Sequence, residues 1–269
     1  MCDRICLTDP SQDRIALQQM FGVRDNALLT TEQFSEWVIE KWMGDKPEGL
    51  KDVGGIKLVP STVPYENLKI RLNYGTRLSV AIVAKALGFT RFEDAMKDAV
   101  VSKFAEMYMN EVVGGLGDVP KDVNIDQYKI HAIKRMSTEQ LNYVTHRVVE
   151  SASKKLRTDL QPVLEASLGP SPVAALAIAT WAHLLADSAL CKTDGFPLID
   201  ASLDKLEPLA KELIASVRQS TAKTAARMFI SEIFGNSASF NERFSDDLIN
   251  ALKDLDHKGI RSALDCALN

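Results

Sequence analysis

Four cysteines in 269 residues, with no two spaced as Cys-x-x-Cys, leave little for a disulfide framework to use. Cys2 and Cys6 have no histidine nearby, and Cys191 and Cys266 stand alone, so all four are read as reduced thiols. The four histidines (His131, His146, His183, His257) form no His-Glu-x-x-His or His-x-His pattern, and no structural metal is expected. No apolar run reaches the length of about 18 residues that a membrane helix needs, so no membrane partner is expected. The opening Met1-Cys2-Asp3-Arg4-Ile5-Cys6 lacks the apolar stretch of a signal peptide. Charge of a single sign is missing too. With 32 basic against 36 acidic side chains and a net charge of −4, the chain has no nucleic-acid binder's footprint. Repeats, low-complexity tracts and Gly/Ser linkers are likewise absent. What these exclusions leave is a cytoplasmic globular protein, 46% apolar, with material for one large core.

What is present is mostly helical periodicity. Thr30 with Gln33 has the capping-box spacing ahead of Phe34, Trp37, Val38 and Trp42, which predicts an amphipathic helix there. Residues 44–55 read as a loop, and residues 56–59 as a short β-element, the one convincing β signal. Pro64 opens a long helix that stops near Gly88. Thr90 with Glu93 starts the next, ending at Gly114-Gly115-Leu116-Gly117. A helix over 125–136 follows, then a third capping box, Ser137 with Gln140, opening a helix to about Leu156. Residues 174–185 are apolar nearly all round, as a buried central helix would be. After a loop over 187–200, four amphipathic segments follow near 202–218, 220–234, 243–254 and 256–267. The fold class expected is all-α, a single multi-helix domain over residues 1–269. Strands alternating with helices are missing, and the glycine cluster follows a helix. Both exclude a doubly wound dinucleotide domain.

Basic side chains recur on two of these helices. On an α-helix Lys69, Asn73 and Thr76 share a face, as do Arg147, Ser151 and either Lys154 or Lys155. A lysine beside an apolar pocket and another cation can act as a general base, although a charged helix face is more often simply solvated. His146 points about 100° away from Arg147 and reads as a surface or supporting group. Trp37, Trp42 and Trp181 sit on apolar stripes and read as core, and His183 as a buried, hydrogen-bonded histidine.

Ordered short matches run along nearly the whole chain. Met1-Cys2-Asp3-Arg4-Ile5, Phe34-Ser35-Glu36-Trp37-Val38-Ile39, Val63-Pro64-Tyr65-Glu66 and Lys69-x-Arg71 are followed by Tyr108-Met109-Asn110-Glu111-Val112, Trp181, Ile233-Phe234-Gly235 and Gly259-x-Arg261. In this the sequence resembles the C-terminal substrate domain of the long-chain mannitol dehydrogenases, a family of polyol and hexuronate oxidoreductases. The resemblance implies an all-α fold like the C-terminal domain of 6-phosphogluconate dehydrogenases. It implies a small polyol, keto-sugar or sugar acid as substrate, with Lys69 as catalytic acid/base, because hydride transfer leaves an alcohol proton to be moved. Arg147 and Lys155 fall on its substrate-binding arginine and lysine. The family asparagine and histidine that follow the lysine are replaced by Tyr74 and Arg77, with Asn73 one residue early. Tyr74 can still donate to a substrate oxygen, while Arg77 adds a permanent cation suited to a carboxylate or phosphate.

The family's NAD(P) site lies on an N-terminal domain that has no counterpart in this sequence. No cofactor is therefore expected on this chain alone, and a separate cofactor-binding domain is implied as partner. Two other readings compete: a stand-alone descendant performing redox-neutral proton transfer in the basic pocket, and a non-enzymatic binding protein.

Overall fold

The computed structural model describes residues 1–6, 10–40, 49–139, 143–192, 195–236 and 240–267. Trp42, Gln140 and the side chain of Cys191 lie outside the described residues. Strand β1 (Cys2–Asp3) and helix α1 (Ser11–Phe21) precede β2 (Glu36–Glu40) and β3 (Ile56–Val59). The sheet order is β1-β2-β3, with β1 antiparallel to β2 (Cys2 opposite Trp37) and β2 parallel to β3 (Trp37 opposite Ile56, Glu40 opposite Val59).

The helix expected around Phe34–Trp42 is therefore a strand as far as Glu40. Its Glu-Trp-Val-Ile-Glu run is β-branched and aromatic, and it gains ladder partners on both sides. Val38 is fully buried on one face of the sheet. Trp37, assigned to the core from its stripe, is 49% exposed on the other.

Pro64 does open a long helical rod: α2 (Val63–Asn67), a π-helical stretch (Leu68–Tyr74) and α3 (Gly75–Ala86) follow without a break. Gly88, in the left-handed region at φ 83°, ends it. Every residue of α3 is buried. The next helix is two: α4 (Phe92–Lys97), then α5 (Ala99–Val113), whose first turn donates Val100 and Val101 N–H to the Asp98 carboxylate. The Thr90 capping box does not form, since Arg91 occupies the cap and pairs with Glu93.

Helix α6 (Ile125–Met136) matches its expected span. The helix expected to run on to Leu156 is broken into α7 (Thr145–Val149) and α8 (Ala152–Asp159), because Ser151 sits at φ 56° between them. Helices α9 (Gln161–Ala166) and α10 (Pro172–Ala186) follow, the latter the buried central helix, and the 187–200 loop contains the short α11 (Ser188–Cys191). Helices α12 (Leu203–Ser216), α13 (Ala222–Phe234), α14 (Asn241–Lys258) and α15 (Ile260–Ala267) complete the order.

Helix α10 packs against α3, α12 and α14, so its nearly all-apolar surface is covered on several sides. Trp181 within it is fully buried beside Phe229. His183 is half-buried and its Nε2 has no hydrogen-bond partner, unlike the bonded histidine expected. Burial correspondingly lowers its pKa, with Asp256 and Asp187 opposing. No helix among the described residues is long and apolar enough to cross a membrane.

Candidate functional site

The N-terminal strand reaches the helical core through one buried ionic knot. Arg135 of α6 donates to both carboxylate oxygens of Asp3 (2.9 and 3.0 Å) and both of Glu32, while its guanidinium lies 4.2 Å from the Phe34 ring centre. Glu32 also accepts the Ile5 N–H at 2.6 Å. Burial opposes the charge on Arg135, but the bonds from Asp3 and Glu32 outweigh it and raise its pKa. This knot lays Asp3-Arg4-Ile5-Cys6 along one wall of a cavity of about 700 Å³.

The remaining walls come from the π-helical stretch and from α3, α7 and α8, and they include Tyr74, Arg77, Tyr143, Arg147, Lys155 and Asp159. Four of the six residues expected to form the site, Tyr74, Arg77, Arg147 and Lys155, thus converge here. The break at Ser151 permits it: Arg147 and Lys155 lie on different short helices yet line one cavity, and Lys154 is exposed. Ser151 donates its N–H to the Ile199 carbonyl, and the Asp200 carboxylate accepts from Ser153 N (2.8 Å) and Ser153 Oγ (2.6 Å), so the 199–202 turn fixes the start of α8.

Lys69 and Asn73 are placed differently. Neither lines the cavity. In the π-helical stretch the turn is wider than an α-helix's, and Lys69 is found against Tyr74 rather than on a cavity-facing side shared with Asn73 and Thr76. Instead Lys69 Nζ lies 5.1 Å from the Tyr74 ring centre and donates to the Cys2 carbonyl of β1. Asn73 is turned inward at 2% exposure, beside the Tyr128 hydroxyl. Thr76 is fully buried and donates to the Leu72 carbonyl. On the cavity side of Tyr74 the Arg77 guanidinium carbon lies 4.2 Å from the same ring centre. Two cations, Lys69 and Arg77, thus lie over the Tyr74 ring, whose π-system attracts them. His146 stacks on Phe196 at 3.7 Å, as a supporting group would.

Tyr143, Thr158 and Asp159 are among the cavity residues that escaped the sequence reading. Tyr143 stacks on Phe92 at 4.8 Å and lies 6.0 Å from Arg77, and Thr158 donates to Asp159 at 2.7 Å. Asp159 itself is 6% exposed. Burial drives its pKa up to about 6, with the Thr158 bond, Lys155 and Arg77 holding it back. Lys155 responds in the opposite sense: burial lowers its pKa, and Glu150, Asp159 and Asp200 offset this only in part. Asp159 could have been noticed, since it lies four residues after Lys155 on one helical face. Among the described residues no group of three histidine, cysteine or acidic side chains is disposed to hold a metal.

The chain is similar to known proteins over most of its length. A family model described as the mannitol dehydrogenase C-terminal domain matches residues 61–256. A mannitol 2-dehydrogenase of Aspergillus oryzae is 28% identical over 98% of this chain and 52% of its own length. An uncharacterised oxidoreductase of Escherichia coli is 25% identical over 98% of this chain and 53% of its own. The chain thus spans about half the length of the curated relatives it matches. Among solved structures, Pseudomonas fluorescens mannitol 2-dehydrogenase, in a ternary complex with NAD and D-mannitol, superposes with a TM-score of 0.78. That match covers 100% of this chain and 53% of that one at 24% identity. A substrate-free D-sorbitol dehydrogenase gives 0.79 at 19% identity, over 98% and 53%. These two likenesses establish the shared fold, and with the family match across most of the helical core the chain belongs to the mannitol dehydrogenase C-terminal domain family.

Proposed function

We propose that the chain is the substrate-binding and acid/base half of an NAD(P)-dependent polyol or sugar-acid oxidoreductase, residues 1–269 forming one substrate domain. The observation that carries this reading is the convergence of Tyr74, Arg77, Arg147 and Lys155 on one cavity. Its volume of about 700 Å³ is ample for a small sugar derivative. The cationic and phenolic donors suit a ligand rich in oxygen acceptors.

The chain's own residues do not fit a dinucleotide. Strand β3 enters the next helix through Pro60-Ser61-Thr62, without the glycines that let a backbone approach a pyrophosphate, and α3 and α10 are buried in the core rather than open at a sheet edge. The nicotinamide belongs to a separate cofactor domain, and taken alone this chain is not competent for hydride transfer. A partner domain has a surface to cover: Trp37, Ile39, Ile56 and Leu58 share one face of the sheet, with Trp37 and Leu58 exposed, and α1 buries none of its residues. The exposed, unpaired Cys2, Cys6 and Cys266 suit a reducing cytoplasm.

Lys69 is the acid/base group. Its amine donates to the Cys2 carbonyl beside Tyr74, a cavity-lining residue, and would have to leave that bond to meet a substrate oxygen in the cavity. Supplying the cofactor domain of a relative, fused or in trans, should produce NAD(P)-dependent oxidation of polyols or sugar acids. Lys69→Ala should lower kcat by about 10²–10⁴-fold. No turnover from a well-paired complex would end this reading. The alternative, redox-neutral proton transfer by Lys69 in a stand-alone protein, draws on Tyr74 and Arg77 standing where the family's asparagine and histidine would. It requires turnover of a keto-sugar without any nicotinamide.

A further inference from the structure

The cavity holds ionic groups whose bonding capacity is unspent. Arg77 is 7% exposed and stacks on Tyr74, yet among the described residues it makes no hydrogen bond or ion pair. A guanidinium carries five N–H donors, and on a cavity wall they are available to a ligand. Lys155 spends one of its three donors, on the Val148 carbonyl at 2.7 Å. Asp159 accepts the Thr158 hydroxyl with one oxygen, while the other has no partner. Neither cation forms an ion pair with Asp159 among the described residues, although both act on it electrostatically across the cavity that they line together with Arg4 and Arg147.

A neutral polyol would meet the donors of Arg77 only with uncharged hydroxyls. A carboxylate would meet them with a planar, charged acceptor that matches the guanidinium fork. A phosphate ester would bring about two charges at neutral pH against the same pair, with Asp159 close by. We propose that the cavity selects a sugar acid, its carboxylate held by Arg77 and Lys155 and one of its hydroxyls donating to the free oxygen of Asp159. The assignment rests on the substrate-domain reading and sharpens it. Arg77 and Asp159 become its specificity-determining residues.

D-gluconate and D-sorbitol differ at one terminus, a carboxylate against a hydroxymethyl group, so their binding to the purified chain isolates that group. Isothermal titration or ligand-observed NMR at pH 8 should show gluconate binding at least about tenfold more tightly, as a charge-assisted bidentate contact predicts. Arg77→Gln should bring the ratio near one, and the isosteric Asp159→Asn should raise it, by removing repulsion of the anion, while weakening sorbitol. If Arg77→Gln fails a circular-dichroism melt, Asp159→Asn carries the test by itself. Equal affinities, a preference for sorbitol, or tighter binding of sorbitol 6-phosphate would overturn the carboxylate assignment and leave the substrate-domain reading standing. A ratio unmoved by Asp159→Asn removes Asp159 from the site. Binding of none of the three ligands defeats both readings.

Discussion

Single side chains decide whether this cavity has a fourth wall. Arg135 satisfies Asp3 and Glu32 together, and both carboxylates are nearly inaccessible, at 2% and 7% exposure. Removing the cation leaves two buried negative charges without a counter-charge, with only the Ile5 N–H still bonded to Glu32. Arg135→Ala should therefore cost about 3–5 kcal/mol, measured by urea unfolding, and free the first six residues to a protease before the core opens. Arg135→Lys should recover little of this, because an ammonium cannot serve two carboxylates in two bidentate contacts. The titration of Asp159 is a second residue-scale quantity. Its carboxyl holds a proton up to about pH 6 in the folded chain, against a reference of 3.8 when unfolded. Between those values the native state binds more protons, so stability falls as pH rises through the window and stays level above it. Asp159→Asn should remove that slope and gain roughly 2–3 kcal/mol at pH 8, read from unfolding midpoints at pH 4 and 8. The cluster around Arg135 was not legible in the sequence. Asp3, Glu32 and Arg135 are far apart in the sequence, and nothing local marks them as one cluster.

At the level of elements, legibility followed how local the cause was. Helices α6, α10 and α12 to α14 were recoverable because their apolar period is long and their own burial enforces it. Strand β2 was misread because Phe34, Trp37, Val38 and Trp42 also fit a helical stripe over so short a stretch. Its choice is made by β3, some twenty residues on, and by β1. The π-helical stretch changes no residue type, yet Tyr74 rather than Asn73 is the neighbour of Lys69 there, so the expected grouping of Lys69 with Asn73 and Thr76 does not form. The helix stop at Gly114–Gly117 was legible, but not its tightest contact. A Cβ on Gly115 would lie 2.4 Å from the Val163 carbonyl oxygen of α9. That is backbone, which cannot swing aside, so Gly115→Ala should push α5 and α9 apart and lower stability by about 1–3 kcal/mol in thermal or denaturant melts. Gly114→Ala, next to it and with only the Glu111 carbonyl at 3.9 Å, is the control and should cost much less.

The whole molecule pairs a well-sealed helical core with an unsealed sheet. Trp181 is buried beside Phe229 while Trp37 stands 49% exposed on the sheet face it shares with Leu58, a large aromatic surface left to water. Covering a face of this kind is worth roughly 25 cal/mol per Å² of apolar area before the entropic cost of association, so a domain seated there gains from these residues directly. Association with a cofactor domain should therefore shift Trp37 emission to the blue and protect it from iodide. Trp181 cannot report the event, being already inaccessible. Trp37→Phe assigns the signal, since it should abolish the spectral change and keep most of the binding. Trp37→Lys should weaken association by about tenfold or more, because a charge would have to be dehydrated where an aromatic ring was buried. If the complex forms with full affinity and Trp37 stays open to quencher, the partner sits elsewhere, and the exposed α1 becomes the face to probe next.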